Sequence, residues 1–236
     1  MNFRLLIRLL TVLCVLSSHS FAQETPTDKK EARIMMRIIC SQPVEGSEEL
    51  KVAQGDAVLQ DLTVVPSLVT DPMEVERGAL SLAKFTGTGK EMALNPVVKV
   101  VIPETGTRFV LAIFPSPNAT PLAPYRHLLI RTDHLRFNTS DLYLYNLTAV
   151  PVAGLLGKSK FQIAPTQSTI LTPTPELASE RMYQAQFFYQ RDGEAHIFND
   201  TRWPLASSAR VYLFFIPDPA RQSIGYVSFR EYSPFP

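Results

Sequence analysis

From residue 33 onward the chain is written in short apolar or alternating runs, each closed by Pro, Gly, Asn or Asp. The runs at 33–39, 57–65, 79–85 and 97–102 open the series, and those at 141–147, 149–156, 159–163 and 168–171 continue it as a meander. This spacing predicts about a dozen short strands and very little helix, the pattern of an all-β protein. Phe109-Val110-Leu111-Ala112-Ile113-Phe114 departs from alternation: six apolar residues follow one another. A strand apolar on both faces has to be covered on both faces, so this one is expected at the centre. The next stretch, 115–124, holds four prolines. Proline cannot donate to a ladder, so this stretch is excluded from an interior strand. It is expected as a loop between two halves of one sandwich, with a two-lobe division there as the alternative.

The clearest local signal is Asp192-Gly193 between two alternating runs, 182–191 and 194–198. Asp-Gly in that setting predicts a hairpin with a two-residue type I′ turn. The register would then oppose Arg191 to Glu194, Tyr189 to His196 and Phe187 to Phe198. Tyr183, Ala185, Phe187, Tyr189, His196 and Phe198 would share the core face, and Gln184, Gln186, Phe188, Gln190, Ala195 and Ile197 the opposite one. Gly157-Lys158 predicts another tight turn, and 210–216 with 223–232 a final hairpin. A single short helix is expected at 176–181, with Thr174 as N-cap and Pro175 at its first position. No internal repeat is read from the sequence.

The N-terminus follows a different rule. Arg4 and Arg8 flank and interrupt a short apolar stretch, residues 9–16 are its uninterrupted heart, and Ser20 and Ala22 place small residues before Gln23. This is the layout of a secretory signal peptide over 1–22. A membrane span would need about 20 apolar residues. Residues 23–32 read as a flexible polar leader, and 33–236 as one sandwich domain. The expected location is exported, periplasmic or extracellular, with no membrane span in the mature chain.

Charge and composition narrow the function classes. Basic and acidic residues number 23 and 22, for a net charge of +1. No basic footprint for nucleic acid is present. Of the two cysteines, Cys14 falls in the leader, which leaves Cys40 as the one thiol of the mature chain and no intramolecular disulfide. Following Ile38-Ile39, Cys40 reads as a small buried hydrophobe. So few cysteines favour a bacterial exported protein. Asn118, Asn138, Asn146 and Asn199 each open an Asn-x-Ser/Thr triplet, which would matter only in a eukaryotic secretory route.

Candidate chemistry is sparse. His127 and His134, with Asp133, lie in a polar stretch and read as loop and strand-edge residues rather than metal ligands. His196 reads as a hydrogen-bonded core histidine. Cys40 lacks the histidine that a copper site would need close behind it. Neither a phosphate loop nor a Gly-x-Ser-x-Gly elbow occurs, and no cofactor is implied. Trp203, the sole tryptophan, stands beside Arg202 and Pro204 in what reads as a loop. It caps the end of a sandwich or, with Arg202, contacts a sugar ring or a partner.

Together these readings imply an antiparallel β-sandwich, immunoglobulin-like or jelly-roll-like. The leading role is an exported, non-catalytic protein with an envelope-associated binding or structural function, its partner an envelope protein or a glycan. A secreted hydrolase acting on a glycan or ester is the alternative. An assembly chaperone that pairs an open edge strand with a client is the weaker one.

Overall fold

The structure is a computed structural model that describes residues 33–232 apart from 44–48, 56, 64, 67, 87–92, 121–122 and 134–135. The signal peptide read at 1–22, the leader at 23–32 and His134 lie outside the described residues. The chain is all-β. The first eight strands are β1 (Ile34–Cys40), β2 (Glu49–Gln54), β3 (Ala57–Thr63), β4 (Met73–Val75), β5 (Gly78–Thr86), β6 (Ala93–Ile102), β7 (Arg108–Thr120) and β8 (Ala123–Arg131). Eight more follow: β9 (Leu142–Asn146), β10 (Val152–Leu156), β11 (Ser159–Ile163), β12 (Ser168–Leu171), β13 (Met182–Arg191), β14 (Glu194–Pro204), β15 (Arg210–Asp218) and β16 (Ser223–Glu231).

The strands form four sheets of four, with orders β3-β2-β5-β6, β4-β1-β7-β8, β12-β9-β15-β16 and β11-β10-β13-β14. Adding eight to each number of the first two orders generates the other two. The second half therefore repeats the topology of the first, down to a parallel pair in each, β1 with β7 and β9 with β15. The repeat left a trace in the sequence. Arg108–Pro117 and Arg210–Pro219 carry Arg, Leu, Pro and Pro at the same four places. Gly55 and Gly157 turn equivalent hairpins at φ 58° and 62°.

Three apolar layers separate the four sheets. Met36, Ile38, Leu82, Phe109, Leu111 and Ile113 belong to the layer inside the first sandwich. Leu144, Val152, Phe187, Leu213 and Phe215 belong to the layer inside the second. A third layer unites Ile39, Val110, Ala112 and Phe114 with Tyr212, Phe214 and Phe229. The sheets containing β7 and β15 thus pack on each other, and each is covered on both faces. That is why β7 reads as an unbroken apolar run, as the sequence predicts, and why β15 is also buried along Arg210–Phe215. Phe114 and Phe214 meet edge to face across this layer at 4.9 Å, a favoured aromatic geometry.

Several expectations are corrected. The proline-rich stretch 115–124, expected as a loop, supplies the end of β7 to Thr120 and the start of β8 from Ala123; the chain runs from β8 to β9 over 132–141. Pairing of β1 with β7 ends at Cys40–Ile113. Pro115 and Pro117 therefore sit where one side of the strand has no ladder to supply, which a residue without an N–H tolerates. The helix expected at 176–181 is a turn closed by the Glu180 N–H on the Leu177 carbonyl. Thr174 does not cap it: its carbonyl accepts from Lys158 N–H and its hydroxyl from Ser159. The sequence also gave no sign of β2, β4 or β8.

The Asp192-Gly193 hairpin forms with both residues at positive φ, 55° and 82°, the type I′ signature. Arg191 opposes Glu194 and Tyr189 opposes His196 as expected. A bulge then shifts the register, so that Phe187 opposes Asn199 and Phe188 opposes Ile197. His196 stacks on Tyr189 at 5.5 Å and is half-buried rather than a core residue.

One charged cluster lies inside the layer between the sandwiches. Glu231 of β16 receives Arg210 Nε and the Tyr212 hydroxyl at Oε2, while Arg37 Nε of β1 lies 3.2 Å from Oε1. The Glu231 side chain is 1% exposed. Arg37 also donates to the Thr70 carbonyl, and Arg210 lies over the Phe137 ring at 4.7 Å. Burial, then the Glu231 carboxylate, push Tyr212 well above the ordinary tyrosine value, so it stays a donor. One carboxylate thereby holds a guanidinium from each half.

Candidate functional site

Strand geometry decides the fate of the Trp203–Arg202 pair. Both residues belong to β14 rather than to a loop, opposite Tyr183 and Gln184 of β13. Successive side chains on a strand face opposite ways, so the two cannot act on one ligand. Arg202 is exposed on the outer face, with Glu180 at 3.6 Å. Trp203 turns inward and is half-buried, its ring 5.4 Å from both Phe187 and Tyr226.

Trp203 also lines a cavity. β14 and β16 are edge strands of the two sheets of the second sandwich, and between them opens a slot of about 190 Å³. Leu142 and Tyr183 form its inner end, Trp203 and Tyr226 its aromatic walls, and Ser228 and Arg230 line it from β16. Burial pushes the Tyr183 hydroxyl up to about 12, opposed by the Arg230 charge, so the phenol remains neutral. The Tyr226 hydroxyl donates to Asn199 Oδ1, whose amide donates in turn to the Ala185 carbonyl. The Tyr226 wall is therefore set by a bonded support. The slot falls below the ~300 Å³ of a drug-sized pocket and suits a single ring.

A second concavity lies where the chain crosses between sandwiches. It measures about 530 Å³ and is lined by Arg131, Arg136, Phe137, Tyr143, Ser168–Ile170 and Thr172. Arg131 donates through Nε to Asp133, and Asp133 accepts from the Thr107 N–H and hydroxyl. Burial alone would raise the Asp133 carboxyl; the Arg131 guanidinium and the Thr107 donors outweigh it and hold it below the usual carboxylate value. Sequence reading assigned 126–136 to loop and strand edge and did not identify this cleft. Its two arginines meet the hydroxyls of β12 only because the sheets stack.

The remaining described candidates line neither concavity. His127 is exposed on β8, and partial burial lowers its pKa. Among the described residues no three His, Cys, Asp or Glu side chains cluster as a metal set. No helix among them is long and apolar enough to cross a membrane. Asn146 is fully buried, its amide donating to the Val150 and Ile163 carbonyls while its oxygen accepts from Thr148. Asn199 is buried as well, whereas Asn118 and Asn138 are exposed. Only the latter two triplets present their amide to solvent.

Cys40 is 4% exposed, donates to the Gln42 carbonyl, and burial pushes its thiol up to about 11. A thiol held neutral and covered reacts slowly. In native protein at pH 8, iodoacetamide should leave Cys40 unlabelled over an hour and label it fully in denaturant. Rapid labelling of the native state, read by mass spectrometry, would refute the buried assignment.

No known protein family matches the chain, and no curated protein resembles it in sequence.

Proposed function

We propose that this protein is an exported, non-catalytic binding module with an envelope-associated role, and that its ligand is a glycan. The slot between β14 and β16 carries the reading. Tryptophan and tyrosine faces offer apolar area to the C–H face of a sugar ring, with a polar tip at the same place. Ser228 and Arg230 on the same wall supply donors for ring hydroxyls. The Trp203 and Tyr226 rings cross at 53°, so a ring entering the slot meets two faces at an angle rather than one flat platform. The leader layout at 1–22 supports export.

Trp203 is the only tryptophan, so its emission reports the slot directly. Titrating the protein with neutral oligosaccharides should shift or quench that emission. Trp203→Ala should weaken binding by at least tenfold, since aromatic anchors dominate small interfaces, while Arg202→Ala on the opposite face should leave it unchanged. The reading fails if no oligosaccharide alters Trp203 emission, or if Arg202→Ala abolishes binding. Release of reducing ends during the titration would favour the hydrolase instead. N-terminal sequencing of protein from outside the cytoplasm should begin within a few residues of Gln23.

A further inference from the structure

We infer that the cleft at the crossing between the sandwiches is a second binding site, and that it takes the oxyanion of an acidic sugar. Its floor is Phe137, Tyr143 and Ile170, the part of the inter-sandwich face that turns into the cleft. Arg131 and Arg136 line it from the chain segment leaving β8, and Ser168, Thr169 and Thr172 line it from β12 and its end. A guanidinium has five N–H donors and matches a carboxylate or sulfate two bonds at a time. Arg131 donates through its Nε to Asp133, which the Thr107 donors hold in place, and a guanidinium carries further donors on its terminal nitrogens. That bond sets the orientation of the guanidinium before any ligand arrives, which lowers the ordering cost of binding.

The hydroxyl side fits the rest of such a ligand. Thr172 donates to one Asp141 oxygen, and the other accepts from the Asn138 N–H. Thr172 therefore faces the cleft as an acceptor, and Ser168, on the same face of β12 as Ile170, adds a hydroxyl that is bonded to Tyr143. A ring with several hydroxyls and one oxyanion meets all three surfaces: floor, guanidinium wall and hydroxyl wall. At about 530 Å³ the cleft lies within the ordinary range for a small ligand. The inference rests on the glycan reading for the sugar ring; the oxyanion preference follows from the arginines alone.

The test is calorimetric titration of the full protein with three probes of equal length: a uronic-acid oligosaccharide, a sulfated one and a neutral one. The cleft predicts binding of one or both acidic probes, weakening with salt because exposed charges are screened. Arg131→Gln with Arg136→Gln should reduce that affinity by at least tenfold. Arg202→Gln, at an exposed arginine that lines neither concavity, should leave it unchanged, and the neutral probe reads the slot separately. A measurement on unaltered protein guards against misfolded variants: the acidic probe should protect Arg131 and Arg136 from phenylglyoxal, read by peptide mapping. Preference for uronate over sulfate, or the reverse, identifies the oxyanion. Affinity for the neutral probe that also falls tenfold in the double variant, no binding of either acidic probe, undiminished binding by the double variant, or unprotected arginines would each overturn the proposal.

Discussion

Phe187→Ala should cost about 3–5 kcal/mol of folding stability, the range for emptying a buried phenylalanine site. Phe187 is fully buried, and the rings of Phe161, Phe198, Trp203, Phe215 and Tyr226 all lie within 6 Å of its own. These neighbours come from β11, β14, β15 and β16, so no single segment can move to refill the space. Gln186→Ala provides the contrast. Gln186 faces the other side of the same strand, and its amide lies 3.3 Å from Asp200 in an exposed contact. Its loss should cost about 0.5 kcal/mol or less. Urea unfolding of the two variants compares them. Were Gln186→Ala the more damaging, the core face of β13 would be misassigned.

Glu231→Ala should be as damaging, at about 3–5 kcal/mol, for an electrostatic reason. It removes the carboxylate that lies between Arg37 and Arg210 and takes from both buried guanidinium groups the charge they share. Breaking a buried pair from one side carries that penalty because the surviving charge stays desolvated. The exposed pair Arg33–Glu74, at 3.6 Å, is the control. Solvent screening leaves such surface pairs worth ~0–1 kcal/mol, so Glu74→Ala should change little. Exchanging Arg37, Arg210 and Glu231 together for apolar residues should cost much less than Glu231→Ala alone, since no charge is then stranded. A mild effect of Glu231→Ala in urea unfolding would show that the cluster does not hold the sandwiches together.

Local chemistry was legible in the sequence wherever one residue type admits one backbone conformation. Asp192-Gly193 specified a type I′ turn, and the unbroken run 109–114 specified a strand covered on both faces. The bulge after Phe187 was not legible, because it shifts Phe198 by one place without any glycine to mark it. Strand β8 was hidden by the prolines of 115–124. Their effect on a ladder depends on whether a neighbour is present, and here β1 stops before they begin. The helix expected at 176–181 lost to tertiary contacts, since the groups of Thr174 that would cap it bond to Lys158 and Ser159.

The repeat was present in the text as Arg-x-x-Leu-x-x-x-Pro-x-Pro at 108–117 and 210–219, and four identities in ten residues do not stand out among many apolar strands. Arg37, Arg210 and Glu231 are far apart in sequence and ordinary in type; only the stacking of two inner sheets makes them a cluster. The same holds for the cleft of Arg131 and Arg136. Trp203 and Arg202 read as loop neighbours in the sequence, whereas their strand continues through Pro204 and sends the two side chains to opposite faces.

Two stacked sandwiches that share a buried ionic cluster should unfold together. Equilibrium urea unfolding, followed at once by Trp203 fluorescence and by amide exchange of β1 and β7, reads the two halves separately, because Trp203 lies only in the second. The two transitions should superimpose with one midpoint and one slope, as for a single cooperative unit. A Trp203 transition that is complete while β1 and β7 stay protected would show two independent sandwiches and contradict the shared core.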